Sequence, residues 1–312
     1  MKKILPILQW LPDYTRQTLS GDIVAGITVA IMIIPQSMAY ALLAGLSPEI
    51  GLYASIVPMM LYALFGSSRY LAVGPVALVS LMTASVMGEV TASGNVDYHT
   101  GELIIALLSG VLLLIMSLAR LGVLATLLSK PILSGFTSAA AIIIGMSQLK
   151  YLLGMTIPSG LNPFEKLYYA LTHWQDSSLL ALFVGISSIL IILFSGRVLN
   201  RLLSQLQPSA IVINVLSKLG PLFAVAIFTL LASLFNWHEA FNLRIVGDIP
   251  SGLPSFGMPN IDQALVWELL GPAILIALVG TIESISVLNH LLARRGKKLN
   301  QTVSYLVWVW QI

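Results

Sequence analysis

Long apolar runs separated by short polar segments make up most of the chain. A helix needs about 20 predominantly apolar residues to cross a bilayer, and eight runs come close to that length. Their bounds are roughly 22–45, 50–66, 71–90, 102–119, 131–150, 178–196, 218–236 and 267–292. The pattern therefore predicts an all-α polytopic membrane protein.

Composition supports this prediction. Of the 312 residues, 57% are hydrophobic and only 9% are charged, whereas a soluble domain carries about 25% charge. The net charge of +3 is small and the basic residues never form a stripe, so no nucleic-acid partner is expected. Cysteine is absent, which excludes disulfides and thiolate metal sites.

The basic residues set the orientation of the spans. With the N-terminus in the cytoplasm, 13 of the 16 Lys and Arg residues fall on the inner side, and Lys150, Lys166 and Arg244 fall outside. Cytoplasmic loops are enriched in such residues. The sequence thus predicts a multi-pass protein of the cell (inner) membrane, with eight spans and both ends in the cytoplasm. No nucleotide-binding fingerprint is present, and no cofactor is expected.

A proline and an amide, Pro35 and Gln36, interrupt the first apolar run. Proline frees a backbone carbonyl, which protein or water must satisfy inside a membrane. Gln36 adds two donors and an acceptor, and Tyr40 follows one helical turn later on the same face. Two interpretations stay open: a kink that packs against another helix, or a polar site on the path of a substrate.

The dipeptide Gly74-Pro75 marks the start of the third run, after a short extended segment over 70–73. Proline is favoured in the first turn of a helix. A helix that begins here inside the membrane would offer free N–H groups and a positive dipole end, which together form an anion site without a cationic side chain. The alternative is an ordinary helix start at the membrane surface.

A carboxylate lies deep in the eighth run, because Glu283 is 11 residues ahead of Arg294, roughly 16 Å along a helix. A charged carboxylate there costs at least about 2.5 kcal/mol, so Glu283 is expected to bind a cation or carry a proton. The alternative is a buried structural hydrogen bond. Glu89 and Glu102 bracket an outer loop and are expected to be solvated. The histidines form no cluster with ligand spacing, so no metal site is predicted.

Five segments of the chain are distinctive, and they occur in this order: GDIVAGITVAIMIIPQSMAYALLAGLSPEIGLYAS, AVGPVALVSLM, SKPILSGFTSAAAIIIGMSQL, GDIPSGLPSF and GTIESIS. Together they resemble the SulP family of anion transporters, the sulfate permease and prestin/pendrin group. The resemblance extends from Leu11 to about Asn300.

The resemblance implies a seven-plus-seven inverted-repeat transporter fold. Spans three and ten are then half-helices preceded by short strands, and their N-termini face each other across a midplane anion site. Residues 1–300 would form the first repeat and the start of the second, ending after about eight spans. Carried over by position, the substrate-binding residues are Gln36, Tyr40, Gly74, Pro75, Val76 and Ala77, and the coupling residue is Glu283.

The implied function is secondary active anion transport, with proton-coupled sulfate uptake as the main expectation and bicarbonate or dicarboxylate transport as alternatives. Sodium-coupled relatives carry a hydroxyl residue one turn after the coupling carboxylate, whereas this chain has Val287, which favours a proton. The expected partners are the anion, the proton, the lipid bilayer and, in the full-length parent, a second copy in a homodimer.

Two other functional classes compete with this one. An anion channel, or a half-subunit that needs a partner chain, would use the same polar places without coupling. A membrane enzyme is disfavoured because the sequence has no nucleophile–base pair and no metal-ligand pattern.

The last residues, 301–312, do not resemble the family. Read one base earlier, the codons for the six residues from Val307 to Ile312 permit Gly-Leu-Gly-Leu-Ala-Asn, which is similar to the family pattern at this point. The expectation is an out-of-frame tail over 301–312, with the remainder of the second repeat and a cytoplasmic STAS domain absent.

Overall fold

The computed structural model describes most of the chain. The described residues are 6–66, 72–92, 97–119, 130–158, 161–206, 219–241, 243, 245–247, 252 and 262–294. Within these ranges the backbone forms α-helices, two short 3-10 turns and connecting loops, and no strand. The tail predicted over 301–312 lies outside the described residues.

The helices follow one another with few long connections. In chain order they are α1 (Ile7–Trp10), α2 (Arg16–Leu43), α3 (Pro48–Phe65), α4 (Ala77–Ala92), α5 (Tyr98–Leu118), α6 (Lys130–Ser147), α7 (Leu149–Leu152), α8 (Pro163–Thr172), α9 (Leu179–Leu206), α10 (Gly220–Leu234), α11 (Trp237–Phe241) and α12 (Gln263–Arg294).

A helix occupies each of the eight predicted spans. Five are long and apolar enough to cross a membrane: α2, α3, α5, Leu179–Gly196 of α9 and Gln263–Ser284 of α12. The third and seventh spans are shorter apolar helices, Ala77–Thr91 and α10, and the fifth, α6, has 18 residues. These apolar helices support a multi-pass membrane protein.

The first long helix, α2, runs through Pro35 without ending. It stops at a Schellman turn, in which the Leu46 amide donates to the Ala41 carbonyl at 2.9 Å and Gly45 adopts a φ of 82°. Glycine suits this position because other L-residues are strained at positive φ. The Tyr98 hydroxyl donates to the Ala44 carbonyl, and so fastens the end of α2 to the start of α5.

Contacts divide the chain into two compact units. The first comprises Met1–Asp13, Tyr40–Ile142 and Ser251–Ile312, and the second comprises Tyr14–Ala39 and Ile143–Pro250.

The core of the first unit lies where α4, α5 and α12 pack together. Its buried apolar side chains are Val90, Ile104, Ile105, Leu265, Leu269, Ala273 and Ile276. Along α12 these residues recur every three or four positions, which places them on one face of the helix. Leu269 and Ala273 are fully buried, with 0% exposure. This face therefore fixes α12 against the two shorter helices.

The second unit is organised around α9, which packs against α10 and α7. Gly220, in the first turn of α10, lies so close to Ser195 of α9 that a Cβ would collide with the serine hydroxyl. In the same unit, a reciprocal capping box starts α8. The Asn162 side chain accepts from the Glu165 amide at 2.9 Å, and the Glu165 carboxylate accepts from the Asn162 amide at 2.8 Å.

The short strand expected ahead of the third span is not found in the described residues. Residues 72–76 are irregular, and 67–71 lie outside the described part. A strand needs a partner for its backbone groups, and no described segment forms a ladder with 72–76. Helix α4 also begins at Ala77 rather than at Gly74-Pro75. Proline restricts the residue before it and so keeps Gly74 out of the helix, and Val76 is the cap whose carbonyl accepts the first helical hydrogen bond, from the Ser80 amide.

Leu269→Ala is expected to destabilise the protein by about 2–5 kcal/mol, because it leaves a cavity in the packed α4–α5–α12 core. The matched control is Leu275→Ala on the same helix, where the side chain is 57% exposed and the loss should be small. Thermal unfolding in detergent, followed by tryptophan fluorescence, compares the two. Equal melting temperatures for both variants would contradict this assignment of the core.

Candidate functional site

A cavity of about 400 Å³ lies within the first unit. Its walls come from the C-terminal end of α2, the start of α3, the segment that leads into α4, the N-terminal half of α5 and the middle of α12. Most of the lining side chains are apolar. The polar ones are Tyr40, Ser80, Thr83, Glu102 and Ser109.

The structure brings together some of the predicted site residues. Tyr40, Pro75 and Val76 line the cavity. Gly74 and Ala77 flank the two residues Pro75 and Val76 in sequence, and Ala77 is buried.

Two predicted residues are not in the cavity wall. Gln36 lies one turn before Tyr40 on α2, and it is exposed and does not line the cavity. Glu283 lies on α12, three residues after Gly280, which does line it. The predicted set is therefore only partly assembled around this cavity.

The N-terminus of α4 forms one edge of the cavity. The first hydrogen bond of the helix runs from the Ser80 amide to the Val76 carbonyl, at 3.0 Å. The amides of the first turn, 77–79, precede that bond and have no carbonyl partner within the helix. Together with the helix dipole they make this edge electropositive. No Lys or Arg is present among the described lining residues, so the backbone supplies the positive potential.

Glu283 has a polar atom without a partner. Its Oε2 is buried and makes no hydrogen bond to any described residue. The same holds for the Oγ1 of Thr281, two residues earlier. Leaving such an atom unpaired in apolar surroundings is costly. In such surroundings an ionised carboxylate costs more than a neutral carboxyl group.

Glu102 contradicts the expectation that it is solvated. Helix α5 begins at Tyr98 because the Asp97 carboxylate caps it, accepting from the Thr100 amide at 3.3 Å. Glu102 is consequently in the second turn, with its side chain only 14% exposed. Its Oε2 is buried without a hydrogen bond among the described residues, and it lies 3.6 Å from Nδ1 of His99.

The sequence contains a pattern that predicts the burial of Glu102, although the lengths of the apolar runs do not reveal it. Ile105 and Ser109 lie three and seven residues later and are both buried, which is the spacing of one helical face. The Asp97 cap extends that face back to Glu102. Had the helix start been placed at the cap, Glu102 would have been predicted on the inner face.

Small residues keep the cavity open. A Cβ added at Gly110 on α5, or at Gly280 on α12, would meet no atom within 4 Å. Both glycines line the cavity, so their missing side chains leave room for a ligand of a few heavy atoms.

The model of the sulfate permease family matches residues 19–302. The chain belongs to the sulfate permease family. This confirms the resemblance drawn from the five sequence segments. One of its relatives is the chloroplastic sulfate transporter 4.1 of Arabidopsis thaliana, which is 38% identical over 300 residues. That match covers 95% of this chain and 42% of the relative, so the family member described here spans less than half of that protein's length.

Solved structures agree with the fold of this family member. The murine solute carrier 26 family member A9 anion transporter, in its inward-facing state, matches with a TM-score of 0.76 at 22% identity, over 98% of this chain and 53% of that one. The transmembrane domain of a cyanobacterial bicarbonate transporter matches with a TM-score of 0.73 at 20% identity, over 96% and 72%. Both likenesses support the all-helical fold.

Gly280→Leu tests whether an anion occupies this cavity, because the leucine side chain would take up part of the same space. If an anion binds there, its affinity should fall roughly tenfold to a hundredfold, or about 1–3 kcal/mol. The control is Gly271→Leu on the same helix, where a Cβ also meets nothing within 4 Å but the position is outside the cavity wall. Radiolabelled sulfate binding to purified protein measures the effect. Equal affinities for the two variants would show that the anion does not use this cavity.

Proposed function

We propose that this chain forms part of a secondary active transporter that takes up sulfate together with protons. The observation that carries the proposal is that Pro75, Val76, Val79 and Ser80, at the N-terminus of α4, line a mostly apolar cavity of about 400 Å³. A helix N-terminus favours an anion and repels a cation.

The proposed anion site combines backbone and side-chain donors. The amides of the first turn of α4, beginning at Ala77, supply N–H groups, and the Gly74-Pro75-Val76 segment brings the backbone close to the cavity. Tyr40 contributes a hydroxyl group from α2. Gln36 stays a proposed substrate-binding residue because it lies one turn before Tyr40 on the same helix. Without a cationic side chain the site holds the anion loosely enough to release it.

The proposed coupling residue is Glu283. Its buried, unpartnered Oε2 supports a carboxyl group that is neutral in the membrane and gives up its proton when the site opens to water. Val287, one turn later, offers no oxygen to a sodium ion. The coupling ion is therefore proposed to be a proton.

Sulfate is the proposed substrate because the Arabidopsis relative named as a sulfate transporter is 38% identical. That relative is named as a transporter rather than an enzyme, which supports the expectation of no catalytic activity. Most Lys and Arg residues fall in the loops on the same side of the membrane as the N-terminus. This excess supports a protein of the cell membrane whose N-terminus is in the cytoplasm. The full-length protein is proposed to act as a homodimer.

Glu283→Gln is expected to abolish proton-driven accumulation of sulfate, because an amide cannot carry the proton. The chain is reconstituted into liposomes with the membrane potential held at zero. A pH difference of about one unit, acid outside, then supports about tenfold accumulation for each co-transported proton. Radiolabelled sulfate uptake, with bicarbonate and a dicarboxylate as competitors, is the measurement. The matched control is Glu268→Gln, an exposed carboxylate on the same helix, which should behave as the wild type.

Each other result changes the proposal in a defined way. Sulfate flux that ignores the pH gradient would replace the transporter with an anion channel. Flux that bicarbonate or a dicarboxylate carries in place of sulfate would reassign the substrate. Absence of flux for all three anions would contradict transport by this chain alone, and would favour a half-subunit that needs a partner chain.

A further inference from the structure

We propose that Glu102 is a second proton-binding residue, placed in the wall of the anion cavity, and that the anion binds only when Glu102 is protonated. This inference rests on the proposed anion transport and adds a residue to it. The carboxyl group and the α4 N-terminus border the same cavity, so the proton and the anion would share one space.

Because of the position of Glu102, the charge of its side chain controls whether an anion can enter the cavity. Its side chain lines the cavity and its Oε2 is buried without a hydrogen bond among the described residues. An ionised carboxylate in a space of about 400 Å³ with apolar walls would repel an anion strongly, because little water screens the two charges. The neutral acid removes this repulsion and gains a hydroxyl group that donates a hydrogen bond to the anion.

Two of the four hydroxyl groups of the cavity wall, those of Thr83 and Ser109, are committed to carbonyl groups and do not stabilise an ionised Glu102. Thr83 on α4 donates to the Val79 carbonyl at 3.0 Å, and Ser109 on α5 donates to the Ile105 carbonyl at 2.7 Å. Both hydroxyl protons are therefore engaged in hydrogen bonds to carbonyl groups of their own helices.

The titratable groups near Glu102 are few. On its own helix, His99 faces it, and Tyr98 lies one turn earlier. Among the described cavity residues of the other elements, α2 contributes Tyr40 as a titratable side chain, whereas α3, α4 and α12 contribute none. His99 is thus the cation-forming group within reach of the carboxylate.

His99 provides a route for the proton. Its side chain is 64% exposed, and its Nδ1 is 3.6 Å from Oε2 of Glu102. The exposed imidazole beside a buried carboxyl group therefore connects water with the cavity wall.

Glu102 and Glu283 lie on different helices, and only Glu102 lines the cavity. Two separate proton sites would balance the two negative charges of sulfate. One sulfate and two protons would then cross together, so that each transport cycle moves no net charge across the membrane and does not work against the membrane potential.

Sulfate affinity measured across a pH series tests the proposal. If one proton on Glu102 must accompany the anion, log Kd rises by about one for each pH unit over the range in which Glu102 loses its proton. Glu102→Gln should remove that contribution and bind sulfate at high pH. Glu89→Gln, an exposed carboxylate at the end of α4, should keep the wild-type pH dependence.

A second measurement reads the proton site directly in the wild-type protein. Dicyclohexylcarbodiimide reacts with protonated carboxyl groups in apolar surroundings and adds its mass to the residue. Peptide mass spectrometry should find Glu102 modified, more at pH 6 than at pH 8, and bound sulfate should protect it.

Wild-type pH dependence in Glu102→Gln, or a Glu102 that the carbodiimide never modifies, would overturn the inference while the proposed transport stands. If the wild-type protein binds no sulfate at any pH, the proposed sulfate function and the role of Glu102 in it both fail.

Discussion

Inside a bilayer every backbone polar group must find a partner within the protein or in a water-filled space. Helix α4 meets this constraint in an unusual place. With 16 residues it spans roughly 24 Å, less than the hydrocarbon thickness of about 30 Å, and residues 72–76 enter it without helical bonds. The first-turn amides have no carbonyl partner within the helix, and the adjacent cavity has room for a ligand or water that could accept from them.

Run length and hydropathy were enough to predict where the helices lie, since each predicted span contains one. The bounds were less predictable. Helix α2 begins at Arg16, six residues before the predicted span, because polar residues at a helix start do not interrupt backbone hydrogen bonding. Helix α4 begins at Ala77 rather than Gly74, and proline accounts for the exclusion of Gly74, the residue before it. Hydropathy measures neither effect.

The candidate site was predicted in part, and for a physical reason. Tyr40, Pro75 and Val76 were predicted from the few residues around each of them, and all three line the cavity. Glu102, at the edge of an outer loop, was expected to be solvated because a carboxylate beside a polar segment normally contacts water. Its burial depends on how α5 packs against α4 and α12, which is a long-range property. A single sequence carries such contacts only indirectly, through the spacing of Ile105 and Ser109.

The turn at Gly45 restricts how this chain can change over evolutionary time. A side chain there would be strained at a φ of 82° and would also strike the Tyr98 hydroxyl. Any replacement would force Tyr98 to release the Ala44 carbonyl, and so would separate the wall that carries Tyr40 from the wall that carries Glu102. A smaller side chain at position 98 relieves the collision but loses the bond. Since the positive φ remains whatever residue occupies position 98, position 45 is expected to stay glycine for as long as this turn ends α2.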